Sequence, residues 1–214
     1  MSEPLVRCAG AARTYGSGAT ATVGLEPTDC EIAPGARLAL VGPSGSGKST
    51  LLHLMAGLDA PTRGEVSWPG LDGDRPAVVF QGPSLLPPLT VVENVALPLI
   101  LDGATDSGAH VRALAALERL GLAELANKLP EEISGGQSQR VAIARALAGQ
   151  PRLLLADEPT GQLDRVTGAG VVDALLEAAG RAGAALVVAT HDAAVADRLD
   201  ERIEMHSGRL TWQS

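Results

Sequence analysis

The sequence predicts an α/β fold in which a mainly parallel core sheet carries an N-terminal antiparallel β region and an inserted helical subdomain. Three observations lead there. Short apolar runs recur at Arg37–Val41, Pro76–Phe80, Arg152–Ala156 and Ala185–Thr190, the pattern of strands buried on both faces. Helical stretches separate them, over Ser49–Ala56, Gln137–Ala148 and Gly168–Ala182, and such alternation marks a parallel α/β sheet. Between Gln81 and Ser134 the pattern breaks, first into a loop with Pro83, Pro87, Pro88 and Pro98 and then into an Ala/Leu-rich helical stretch over Val111–Leu125. We therefore expect one domain over 1–214, with 1–81 and 151–214 forming the core and 82–150 the helical subdomain.

Each element has a local cause. The region up to Glu31 is rich in Thr and Gly and reads as antiparallel strands. Thr90 and Glu93 have capping-box spacing, which starts a helix near Val91. Asp192 is placed to cap a helix beginning near Ala193. Aromatic residues make up only 2% of the chain, with Tyr15 and Phe80 the sole members of their kinds, so aliphatic side chains must fill the core.

Composition also excludes function classes. The chain has 45% hydrophobic and 20% charged residues, the balance of a folded globular protein. A net charge of -8 argues against nucleic acid as a partner, because that footprint needs Lys and Arg gathered on one face. Cys8 and Cys30 are too few for a disulfide framework, and no basic segment followed by an apolar stretch reads as a signal peptide, so a cytosolic location is expected. Pro98 and Asp102 interrupt the most apolar run, Val95–Leu101, so no membrane span is predicted.

The chemistry begins at Gly42-Pro43-Ser44-Gly45-Ser46-Gly47-Lys48-Ser49-Thr50, which fits GxxxxGK[ST] between a strand and an apolar helix. That is the context of a phosphate-binding P-loop. Its glycines let backbone N–H groups turn inward around a phosphate, and the next helix offers unpaired amides and a positive dipole end. Lys48 is expected to bridge the β and γ phosphates of ATP, and Ser49 to hold Mg²⁺. Arg supplies 15 of the 17 basic residues, leaving Lys48 and Lys128 as the lysines, so position 48 uses a scarce residue whose compact ammonium fits where a guanidinium fork does not. The bland alternative, a flexible Gly/Ser turn, leaves the agreement of strand, loop, Lys-Ser pair and helix unexplained.

Leu153-Leu154-Leu155-Ala156-Asp157-Glu158 is an apolar run ending in two acids, which should emerge at the carboxyl edge of a strand where α/β sheets bind ligands. Asp157 is then placed to orient Mg²⁺ through its water shell, and Glu158 to polarise the water attacking the γ-phosphate. His191 ends the run Leu186–Ala189 on the same edge, within reach of the γ-phosphate; Gln81 follows Phe80 and is a further candidate for Mg²⁺ or the attacking water. Ser134-Gly135-Gly136-Gln137 opens the next helix. Ser134 with Gln137 makes a capping box needing no ligand, yet two adjacent glycines in a first turn cost about 1 kcal/mol each relative to Ala, which implies a close approach to that backbone.

Taken together, GPSGSGKST, Gln81, ISGGQSQRVAIARAL, LLLADEPTGQLD and His191 resemble the ATP-binding cassette (ABC) family over almost the whole chain. The resemblance implies a P-loop NTPase fold and ATP hydrolysis. It also implies that Tyr15 stacks on adenine, that Asp164 couples two sites, and that two subunits pack head to tail so that Ser134, Gly135, Gly136 and Gln137 meet the partner's ATP. A transmembrane permease-type partner follows from the same resemblance, with the helical lobe near Gln81 and 83–101 gripping one of its cytoplasmic helices and the chain lying at the cytoplasmic face of the membrane. Ser84–Pro87, Thr90–Leu99 and Asp157–Asp164 resemble the branch serving macrolide exporters, lipoprotein release and cell division, with Ile133 and Gln162 where that pattern has Leu and Asn.

The expected function is thus an ATPase driving export or extraction from a membrane. One alternative is an ATPase that regulates a cell-wall hydrolase through its membrane partner. A soluble cassette acting on DNA or ribosomes lacks a basic patch here, and a P-loop kinase leaves Ser134–Gln137 and Glu158 without duties.

Overall fold

The computed structural model describes residues 3–212. In chain order the first half carries β1 (Val6–Tyr15), β2 (Thr22–Ile32), β3 (Arg37–Val41), α1 (Lys48–Met55), β4 (Arg63–Ser67), β5 (Ala77–Val79), α2 (Val91–Leu101) and α3 (Asp106–Arg119). The second half carries α4 (Gly135–Leu147), β6 (Leu153–Asp157), α5 (Arg165–Ala182), β7 (Ala185–Thr190), α6 (Ala193–Ala196), β8 (Glu201–His206) and β9 (Arg209–Trp212). The chain divides into two compact units: 1–78, 152–158 and 184–214 make the first, and 79–151 and 159–183 the second.

The first unit holds both sheets. An antiparallel sheet of order β2-β1-β4 takes two strands from the N-terminal region, whose composition predicts them, and a third, β4, from beyond α1. The larger sheet has the order β5-β6-β7-β3-β8-β9. Within it β6, β7, β3 and β8 run parallel, and only the β8–β9 hairpin is antiparallel among the pairs with an assigned register. Every residue of β6 and β7 is buried, which explains why these strands read as unbroken apolar runs instead of alternating ones. Leu, Val, Ile and Ala fill this core, including Leu40, Leu51, Leu54, Leu153 and Leu155.

The order of three neighbouring strands positions the chemistry. Strand β7 lies between β6 and β3, with Asp157 opposite Ala189 and Val41 opposite Thr190. Their carboxyl ends therefore share one edge.

The second unit is helical. Val91, Val95, Ala113, Leu117, Val141 and Ala144 form its core where α2, α3 and α4 meet. Thr90 and Glu93 make the predicted capping box. The Ala/Leu-rich stretch is not one continuous helix: α3 ends at Arg119, and Ala123–Leu125 is a separate 3₁₀ turn. Gly121 supplies the reason, taking φ 65° just past the end, while the Leu122 amide donates back to the Leu117 carbonyl at 2.9 Å. That is a Schellman-type stop. At the other end of α3 the Thr105 hydroxyl accepts from the Gly108 amide at 3.2 Å. Thr105→Ala should cost about 1 kcal/mol in a denaturant titration, the usual worth of such a cap.

Candidate functional site

The phosphate loop bridges β3 and α1, and the start of α1 differs from that of every other α-helix among the described residues in one respect. Side chains cap α2 (Thr90), α3 (Thr105), α4 (Ser134), α5 (Asp164) and α6 (Asp192). Among the described residues α1 alone has no side-chain cap: its N-cap is Gly47 at φ 108°, and its first turn contains no acid. Its amides and positive dipole end are thus left for an external anion. Gly47 must be glycine on a second ground, since a Cβ there would lie 2.5 Å from the Gly24 carbonyl oxygen.

The loop is backed by chain segments distant in sequence. The Gly208 amide donates to the Ser46 carbonyl at 2.7 Å, and the Glu26 amide to the Gly208 carbonyl at 2.9 Å. A Cβ on Gly42 would come within 2.2 Å of the Met205 carbonyl oxygen. Residues 24–26 and 205–208 are therefore part of the cradle. Sequence reasoning missed them, because no local pattern marks a wall built by backbone. Pro43, Ser44, Gly45 and Ser49 are exposed, Ser46 and Lys48 buried, and Thr50 half-buried.

Lys48 is only 4% exposed and its ammonium is fully engaged. It donates to the Gly42 carbonyl at 2.8 Å and the Pro43 carbonyl at 3.1 Å, and its Nζ lies 3.3 Å from Glu158 Oε1. Burying a cation at this depth requires such partners. Glu158 reaches the lysine from the end of β6, where its backbone takes φ 43° and its amide donates to the Ala189 carbonyl at 2.9 Å. A positive φ is uncommon for a residue with a side chain and costs roughly 1–3 kcal/mol. Here it aims the carboxylate at the lysine on one side and His191 on the other. The distance from Glu158 Oε2 to His191 Nδ1 is 2.9 Å. An ionised carboxylate can only accept, so Nδ1 is the donor and Nε2 is left free of this bond.

Asp157 is buried beside them, and its Oδ1 has no hydrogen-bond partner among the described residues. A buried carboxylate oxygen without a partner fits a ligand contact. No group of three or more His, Cys, Asp or Glu able to hold a metal occurs among the described residues. A cation at Asp157 would therefore draw its remaining oxygens from the nucleotide and water, the habit of Mg²⁺. Tyr15 closes β1 in the same unit and is 39% exposed.

Gln81, Ser134–Gln137 and Asp164 belong to the second unit. Gln81 is exposed and follows Phe80, whose carbonyl accepts from Gln139 Nε2 at 3.0 Å. Arg145 donates to the Pro83 and Ser84 carbonyls at 3.0 and 2.8 Å, so α4 holds this loop at several points. Burial pushes the Arg145 guanidinium below its usual value. Ser134 and Gln137 form the complete capping box.

The glycine pair has two different explanations. Gly136 is buried, and a Cβ on it would lie 2.3 Å from Thr167 Cγ2, so α5 is what approaches this backbone. Gly135 is exposed, with Leu163 Cδ2 its nearest neighbour at 3.6 Å from such a Cβ. Asp164 caps α5, accepting from the Val166 and Thr167 amides at 3.0 and 3.1 Å and from the Thr167 hydroxyl at 2.6 Å. The Thr167 hydroxyl and amide hold its carboxyl below the usual carboxylate range.

Comparison with known proteins agrees with this geometry. The family profile described as ABC transporter matches residues 25–161. The lipoprotein-releasing system ATP-binding protein LolD of Ruegeria pomeroyi is 44% identical over 228 aligned positions, covering 100% of both chains. The LolD protein of Legionella pneumophila strain Paris is 42% identical over 211 positions, covering 92% of this chain and 93% of that one. Among solved structures, the ATP-binding cassette MJ0796, a dimer in a post-hydrolysis state bound to ADP and Pi, superposes with a TM-score of 0.84 at 37% identity, covering 97% of this chain and 98% of that one. An uncapped phosphate loop, a buried lysine and a paired glutamate and histidine thus sit in a chain matched end to end by such cassettes, and the protein belongs to the ABC transporter family as an ATP-binding, ATP-hydrolysing subunit.

Proposed function

We propose that this chain works as a head-to-tail dimer beneath a transmembrane permease-type partner, at the cytoplasmic face of the membrane, and drives extraction of a lipid-anchored or membrane-embedded cargo. The convergence of Lys48, Glu158 and His191 at one sheet edge carries the reading. The names of the relatives support the cargo class. No helix among the described residues is long and apolar enough to cross a membrane, so this role needs a partner that does.

In this reading the residues of 1–214 act as one cassette. The Gly42–Thr50 loop and α1 bind the phosphates, and Tyr15 stacks on adenine. Lys48 exchanges its carbonyl partners for phosphate oxygens. Ser49, Gln81 and Asp157 would hold Mg²⁺, and the cation would supply positive charge against the nucleotide phosphates. Glu158 accepts a proton from the attacking water while His191 fixes its carboxylate through Nδ1 and meets the γ-phosphate. Ser134–Gln137 of each subunit closes over its partner's ATP, and Asp164 couples the two sites by setting the start of α5, against which Gly136 packs.

A complementation experiment tests the composite site. Lys48→Ala disables one subunit's phosphate loop, and Gly135→Asp, at an exposed backbone position, disables another's signature segment. Each alone should be nearly inactive, while an equimolar mixture should hydrolyse ATP, because head-to-tail pairing leaves one site with both halves intact. A mixture no better than either variant would rule out sharing between subunits.

A further inference from the structure

Tyr15 does not stand alone. Arg13 precedes it by two residues on β1, and so shares its face of the strand. The guanidinium carbon of Arg13 lies 4.8 Å from the Tyr15 ring centroid. The same guanidinium pairs with Asp59 Oδ1 at 2.8 Å, and Asp59 Oδ2 accepts the Tyr15 hydroxyl at 3.1 Å. Ring face, ring tip and cation are thus tied to one carboxylate.

That carboxylate is itself fixed. Its Oδ1 accepts the Ala60 amide at 2.8 Å, and the Asp59 amide donates to the His53 carbonyl of α1 at 3.3 Å. Three residues on from Asp59, the segment is joined to β1: the Thr62 amide donates to the Ala12 carbonyl at 2.7 Å, and the Thr14 amide to the Thr62 hydroxyl at 3.2 Å. Burial pushes the Asp59 carboxyl up, but the Ala60 amide, the Tyr15 hydroxyl and Arg13 outweigh it and hold it below the usual carboxylate range. It stays ionised at neutral pH. Gly24 on β2 makes room for the ring, because a Cβ there would lie 2.6 Å from Tyr15 Cε2 and 3.1 Å from Thr50 Oγ1. Ring and phosphate-loop helix close on the same spot.

We propose that Arg13 and Asp59 are positioning residues for nucleobase recognition, clamping the Tyr15 ring at a fixed distance from the phosphate loop with one face covered by a cation and the other left for the base. The proposal rests on the reading of Tyr15 as the adenine platform. A half-exposed tyrosine otherwise loses side-chain freedom when a base binds, and a ring already held at both ends avoids that cost. The cation also draws ring electron density toward the covered face, which favours an electron-rich purine on the other.

The test compares ATP with inorganic tripolyphosphate, a competitor that has the phosphates and no base, on the full chain. Tyr15→Ala should raise the KM for ATP about tenfold or more, the range for loss of a stacked base. Asp59→Ala should raise it roughly three- to tenfold. The double variant should be no worse than Tyr15→Ala, with kcat and inhibition by tripolyphosphate unchanged throughout. An unaltered KM in Asp59→Ala alongside a raised one in Tyr15→Ala would overturn the clamp and leave the platform standing. An unaltered KM in Tyr15→Ala would overturn both. A parallel weakening of tripolyphosphate inhibition would also overturn the clamp, since the effect would then run through the phosphate loop. If Asp59→Ala does not fold, Tyr15→Phe takes its place, removing only the hydroxyl that Asp59 accepts.

Discussion

Replacing Glu158 by Gln should leave ATP binding intact and slow turnover by roughly 10²- to 10⁴-fold, the usual contribution of a general base. The substitution keeps the shape of the side chain and its capacity to contact His191, but removes the charge that polarises water. Steady-state phosphate release measures the turnover, and size-exclusion chromatography with ATP should show dimers accumulating that the unaltered protein clears by hydrolysis. A second consequence comes from the ion pair. Without nucleotide, Glu158→Gln leaves the buried Lys48 ammonium, now 3.3 Å from Glu158 Oε1, with carbonyl partners alone. Losing the anionic partner of a buried cation is destabilising. The variant should therefore unfold at a lower temperature than the unaltered chain when apo, and saturating ATP should narrow the gap by supplying replacement oxygens. Near-normal turnover would remove Glu158 from the role of base.

Lys48→Ala should depress kcat/KM by roughly 10²- to 10³-fold, the cost of deleting one preorganised charge partner of a phosphoryl group. Lys48 is one of two lysines in the chain, and the other, Lys128, pairs with Glu132. Lys48→Arg tests geometry against charge. The ammonium now fits between two loop carbonyls and a carboxylate at 4% exposure, and a planar guanidinium lacks that compactness, so Arg should rescue little. Full activity in either variant, measured with ATP titrated to saturation, would contradict the cradle.

Much of this was legible in the sequence, and the limits of legibility have a physical pattern. Helix starts at Val91 and Ala193 were readable because a cap is a contact over two or three residues: Thr90 with Glu93, and Asp192 with Ala194. Composition favours helix throughout the Ala/Leu-rich stretch Val111–Leu125, so it cannot show that one glycine at φ 65° ends α3 inside it. The glycine pair at the start of α4 shows a different limit. Sequence demanded that something approach the backbone, but could not say that Thr167 answers for Gly136 while Gly135 stays exposed.

The sequence by itself determined four strands of the core sheet and the helices between them, the phosphate loop, the acids and imidazole at strand ends, and through their combination the family. These depend on periodicity, caps and motifs, each written within a few consecutive residues. Tertiary structure alone decided which groups meet: Lys48 with Glu158, Glu158 with His191, the backbone wall of 24–26 and 205–208, and the Arg13–Tyr15–Asp59 cluster. Such pairs follow from which strands lie side by side, and the order β6-β7-β3 is fixed by packing of the whole sheet, leaving no trace in the spacing along the chain.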